Sequence, residues 1–161
     1  MPPAVNLAVK VLGNPSIERA LRRAGASTLG CRRAFSVAGF LGSAAALLAL
    51  AAARRPSPVF ATAMWAAALG FVSLHPSGFK ANYMDVASPA ATGFVSGFGN
   101  TVGSTASLLS PLAVDLVLRT TGSWAACFAL VAAANVAAAA LFAAKSTASP
   151  VDVATPGNKG G

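Results

Sequence analysis

The chain has 161 residues, 55% of them hydrophobic and only 10% charged, with a mean hydropathy of +0.65. A soluble domain carries roughly 25% charged residues, so this composition excludes a water-facing surface over most of the chain and points to an integral, multi-pass membrane protein. The net charge is +8, but aromatic residues are not interleaved with the arginines as a base-stacking surface requires, and no nucleic-acid partner is expected.

Residues 1–33 form a basic flank without a span. Residues 4–12 are apolar but short, and Gly13, Asn14 and Pro15 are expected to stop them. Arg19, Arg22, Arg23, Arg32 and Arg33 follow, with Glu18 the single acid of the flank. Such a stretch is expected to be drawn to anionic lipid on the cytosolic side. It also loosely resembles a transit peptide. The other reading is the end of a longer chain cut inside a loop, which the motifs below favour.

The first span, residues 34–53, has no charge and is bracketed by Arg32-Arg33 and Arg54-Arg55. Its 20 residues cover about 30 Å, the thickness of the hydrocarbon core. Pro56 and Pro58 mark a turn and a helix start. The second span, residues 59–74, ends where His75-Pro76-Ser77-Gly78 break the helix. A polar loop is expected next, with Lys80, Asn82, Tyr83, Asp85, Ser88 and Pro89.

The third span, residues 91–118, is rich in Gly, Ser and Thr and contains Pro111. Gly93, Gly97 and Thr101 recur at four-residue spacing, with Gly99 and Gly103 on a neighbouring row, and small residues so placed form a helix-packing face in lipid. Pro111 predicts a kink, with a neighbouring helix satisfying the carbonyl it frees. Asp115 and Arg119 are four apart and predict an interfacial ion pair. The fourth span, residues 123–144, follows a turn at Thr121-Gly122-Ser123 and opens on Trp124, an interfacial anchor. The tail, residues 146–161, is expected to be disordered.

The whole is an all-α chain of about four transmembrane spans. Both ends then lie on one side, and inner loops hold Lys10, Arg19, Arg22, Arg23, Arg32, Arg33, Lys80, Lys145 and Lys159 against Arg54, Arg55 and Arg119 outside. The positive-inside rule places both termini in the cytosol. Nothing indicates an enzyme. His75 is the only histidine, four acids are scattered, and Cys31 and Cys127 have neither metal-ligand nor disulfide spacing. No metal and no cofactor are expected.

The polar loop carries the one specific motif. Ser77-Gly78-Phe79-Lys80-Ala81-Asn82-Tyr83-Met84-Asp85-Val86-Ala87, then Thr92-Gly93, Gly97, Asn100-Thr101, Gly103-Ser104 and Pro111, resembles the anion:cation symporter branch of the major facilitator superfamily. That branch includes sodium/phosphate cotransporters, vesicular glutamate transporters, sialin and plastid phosphate carriers. Arg32-Arg33 resembles the basic pair before the family's ninth helix, and Trp124 and Phe128 the start of its twelfth. Ser88, Ser107 and Asp115 depart from the pattern.

The resemblance covers residues 32–145 and implies a partial fold, helices nine to twelve of twelve. It implies a secondary-active transporter of inorganic or organic anions, coupled to Na+ or H+, whose partners are the lipid bilayer, a small anion and a missing N-terminal half. Plasma membrane, plastid envelope and vesicle all fit. His75, Asn82, Asp85, Asn100 and Thr101 are the candidates for substrate or coupling-ion contact. The residues alone also read Asn82 and Asp85 as a helix cap and gate hinge at a helix start, Asn100 and Thr101 as glue between helices, and His75 as interfacial. Gly93, Gly97, Gly103 and Pro111 are the helix-packing residues. The alternative is a small four-helix membrane scaffold or assembly protein without transport activity.

Overall fold

The computed structural model describes residues 6–149. Residues 1–5 and 150–161, with the start of the basic flank, Lys159 and most of the predicted disordered tail, lie outside the described residues.

The basic flank is helical. A π-helical turn, Val9–Gly13, runs directly into α1, Asn14–Arg23. Gly13-Asn14-Pro15 were expected to stop the helix, and they do not. Pro15 sits in the first turn of α1, where a missing N–H costs nothing, and the preceding π turn absorbs the displaced register. The Asn14 side chain is buried and donates to the carbonyl of Ser73 at 2.9 Å.

The most extensive packing in the fold is made by α2, Thr28–Ala52. Ser27 caps it by accepting from the Gly30 N–H, which satisfies one of the orphan donors of the first turn. The helix therefore starts six residues before the predicted span, carrying Arg32 and Arg33 inside its first turns. Two helices pack along it. One is α3, Pro58–Val72, capped by Ser57 with Pro58 in its first turn. The other is α6, Trp124–Lys145, capped by Ser123. Leu47, Leu50, Ala68 and Ala132 form the buried centre between the three.

Close approach on α2 is made by glycines that the sequence pattern did not single out. A methyl group on Gly42 would collide with the ring of Phe71, and one on Gly39 would lie 2.8 Å from the His75 ring and 3.0 Å from the Phe71 carbonyl. The short helix α4, Phe79–Val86, follows α3 through a tight turn. There Gly78 lies so near Ser36 that an added methyl would stand 2.8 Å from the Ser36 nitrogen. This segment was expected to be a loop. Residues 79–86 contain neither Gly nor Pro to prevent a helix, and Arg32 and Thr147 hold it through Asp85 and Asn82.

The remaining helix is α5, Thr92–Thr121, closed by Gly122 in the left-handed region at φ 64°. None of its residues is buried. Gly93, Gly97 and Gly103 have open space around them among the described residues, whereas Gly99, on the neighbouring row of the expected packing face, meets the Tyr83 ring. Most of its hydroxyls are satisfied within the helix, though the Ser96 hydroxyl has no partner. Thr101 donates to the Gly97 carbonyl and Ser107 to the Gly103 carbonyl, at 2.9 and 3.0 Å. The helix runs unbroken through Pro111. Pro111 has no N–H for the Ser107 carbonyl, and the Ser110 hydroxyl donates to it instead at 3.0 Å. A hydroxyl on the same helix thus does what a neighbouring helix was expected to do.

Among the described residues three helices, α2, α5 and α6, are long and apolar enough to cross a bilayer. With 15 residues, α3 spans about 22 Å, and the tight turn after it lengthens the crossing.

The two sets of glycines separate cleanly in a stability experiment on the purified chain in detergent. Gly42→Ala is expected to lower the thermal midpoint by an amount equivalent to about 1–3 kcal/mol, from overpacking. Gly97→Ala is expected to be neutral or stabilising by about 0.5–1 kcal/mol, from helix propensity alone.

Candidate functional site

Polar residues gather at the end of the bundle where α2 begins and α6 ends. The Arg32 guanidinium donates from Nε to Asp85 Oδ2 at 2.7 Å and from Nη1 to the Ser77 carbonyl at 3.1 Å. Glu18 of α1 stands 3.5 Å from the same group and also binds Arg22 at 2.8 Å. Arg33 donates from Nε to the Ser146 hydroxyl at 3.0 Å and from Nη2 to the Ser146 carbonyl at 2.9 Å. Asn82 donates to the Thr147 carbonyl at 2.8 Å. Helices α1, α2 and α4 and the chain after α6 are thereby joined.

Asp85 does not cap a helix start, contrary to expectation. It is the penultimate residue of α4, the negative end of the helix dipole, where a carboxylate is disfavoured. Arg32 offsets that placement. Asn82, also expected near a start, is buried in the middle of the helix and holds the chain after α6.

His75 lies one layer deeper, against Phe40 and Phe79 at centroid distances of 4.5 and 5.1 Å. Its Nε2 is buried without a hydrogen-bond partner.

Between α4, α5 and α6 lies an open groove of about 910 Å³. Lys80, Tyr83, Asn100, Ser104 and Ser107 line it. The Tyr83 ring reaches the backbone of α5 at Gly99, where a methyl group would stand 2.7 Å from it. One cation, hydroxyls and an amide facing one space form a surface that can accept an anion. Asn100 is therefore at the groove. Thr101, His75 and Asp85 are not among its lining residues. Thr101 turns its hydroxyl back onto its own helix. A second cavity, of about 370 Å³ between Leu47, Trp65, Val114 and Phe128, is almost wholly apolar.

Sequence reasoning missed Lys80, Tyr83 and Ser104 as site residues, and it missed the Arg32 cluster. The signal for the cluster was present, since Arg32 and Arg33 precede an apolar helix and Asp85 is the one acid in the polar segment. Pairing across 53 positions is what a sequence does not print.

The chain matches no protein-family model. Curated proteins do resemble it. It is 40% identical over 79 residues to probable anion transporter 6 of Oryza sativa subsp. japonica, covering 48% of this chain and 18% of that protein. It is 38% identical over 66 residues to the voltage-gated purine nucleotide uniporter of Mus musculus, covering 41% and 14%. It is 36% identical over 93 residues to probable anion transporter 3, chloroplastic, of Oryza sativa subsp. japonica, covering 58% and 17%. The chain resembles the anion:cation symporter branch of the major facilitator superfamily. It spans less than a fifth of the length of these relatives.

Proposed function

We propose that the chain acts as the last four membrane helices of a secondary-active anion transporter, with the groove of α4 and α5 as part of its anion path. The observation that carries this reading is the meeting of Lys80, Tyr83, Asn100 and Ser104 in one groove, on a chain similar to anion transporters. Lys80 supplies the charge, and the amide and hydroxyls supply donors that reorient as an anion passes.

The unburied state of α5 supports a partner built from further helices, the N-terminal half of the transporter. Binding between two halves that rock about the substrate is the usual mechanism of such folds. Inorganic phosphate and organic anions both suit the groove, driven by Na+ or H+. The cluster of Arg32, Arg33, Lys80 and Lys145 at one end, against Arg54, Arg55 and Arg119 elsewhere, supports a cytosolic location for both termini.

Reconstituted alone in liposomes, the chain is expected to give no saturable uptake of labelled phosphate or purine nucleotide. Co-expressed with the mouse relative deleted for the segment that aligns with it, the chain is expected to restore purine nucleotide uptake. Lys80→Ala is expected to cut the restored uptake about tenfold or more, as for loss of a charged hydrogen bond. Uptake by the chain alone contradicts the reading, and failure of restoration returns the protein to a scaffold role.

A further inference from the structure

Residues 6–23 follow a course that three contacts fix in depth. The Asn6 amide donates to the Leu69 carbonyl at 3.2 Å, inside the last turn of α3. Asn14 binds the Ser73 carbonyl, just past the end of that helix. Glu18 then meets Arg32 in the first turns of α2. The segment therefore climbs from within the apolar layer to its polar edge.

Its composition changes along that course. Leu7, Val11 and Leu12 are 62, 59 and 70% exposed at the deep end. Arg19, Arg22 and Arg23 stand at the shallow end, exposed to solvent. Lys10, between them, has a stem long enough to reach outward from the apolar layer. In α1, Asn14, Glu18 and Leu21 face the bundle, and Arg19 and Arg23, four residues apart, share the opposite face.

The described carboxylates are already engaged. Glu18 holds Arg22 and Arg32, Asp85 holds Arg32, and Asp115 holds Arg119. No described carboxylate pairs with Arg19 or Arg23. Two cations that no described carboxylate neutralises, at headgroup depth above three exposed apolar side chains at acyl depth, match the two layers of an anionic leaflet.

We infer that residues 7–23 form a binding surface for anionic phospholipid, in which Arg19 and Arg23 hold the headgroup phosphates and Leu7, Val11 and Leu12 lie among the acyl chains. The surface does not depend on the anion groove. The exposed leucines distinguish it from a nucleic-acid surface, which needs charge and stacking but no acyl-depth contact. The ligand chemistry is a phosphate ester, and the lipid is the source because the apolar half of the segment has no role in holding a free ion.

The full chain is placed in nanodiscs of phosphatidylcholine alone or with 30% phosphatidylserine, and tryptic cleavage after Arg19, Arg22 and Arg23 is timed. Cleavage is expected to be about tenfold slower with the anionic lipid, since each basic residue at the surface adds to the attraction. The protection is expected to vanish in 1 M NaCl, where charges are screened beyond about 3 Å. The double variant Arg19→Gln with Arg23→Gln, still cleavable at Arg22, is expected to show no dependence on lipid charge. Equal rates in the two nanodiscs overturn the inference, as does protection that persists in high salt. Inorganic phosphate or RNA giving the same protection in phosphatidylcholine nanodiscs also overturns it, in favour of a free-anion or nucleic-acid site.

Discussion

The guanidinium of Arg32 is the point at which the polar end of this bundle is tied. It stands in the first turns of α2, the helix against which α3 and α6 pack, and reaches Asp85, Ser77 and Glu18 from there. Arg32 and Asp85 are only 12 and 18% exposed. At such burial a charge must be paired, and removing one partner leaves the other without compensation. The pair also allows Asp85 to remain at the negative end of α4, a position that a carboxylate otherwise avoids. With α4 so placed, Tyr83 rests on Gly99 of α5 and Lys80 faces the groove. The shape of the groove is thus a consequence of a contact made on the far side of α4.

A second constraint is the apolar environment, which leaves no water for unpaired backbone or hydroxyl groups. The structure meets it in two ways. On α2, backbones approach closely at Gly39 and Gly42, and the gain is packing. On α5, Thr101, Ser107 and Ser110 bind carbonyls of their own helix, so the helix carries these hydroxyls although none of its residues is buried. A polar helix that satisfies most of its own hydroxyls, yet lines a groove on one side, suits a wall that other helices join.

The membrane character and the four long apolar helices were legible in the sequence, because span length and charge brackets follow directly from bilayer thickness. So were the turn at Gly122 and the ion pair of Asp115 with Arg119 at 2.8 Å, both local in sequence. Less legible was anything that depends on which helix faces which. The Gly93, Gly97 and Gly103 stripe has the right spacing for packing but no partner here. Gly39 and Gly42 have no conspicuous spacing, and their role follows only from where Phe71 and His75 fall. The α4 helix was read as a loop because polar residues between two spans resemble a connection, and its stability comes from Arg32 and the chain after α6. Asn100 was singled out and lies at the groove. Thr101, beside it, turns onto its own helix, since neighbours in a helix point about 100° apart.

The central claim, that Arg32 holds α4 and through it the groove, is tested most directly by amide hydrogen exchange on Arg32→Ala in detergent. The account predicts that amides of residues 79–86 exchange about thirtyfold faster than in the parent chain, as for loss of charged hydrogen bonds, while those at the centre of α6 are unchanged. Unaltered protection across residues 79–86 would contradict it.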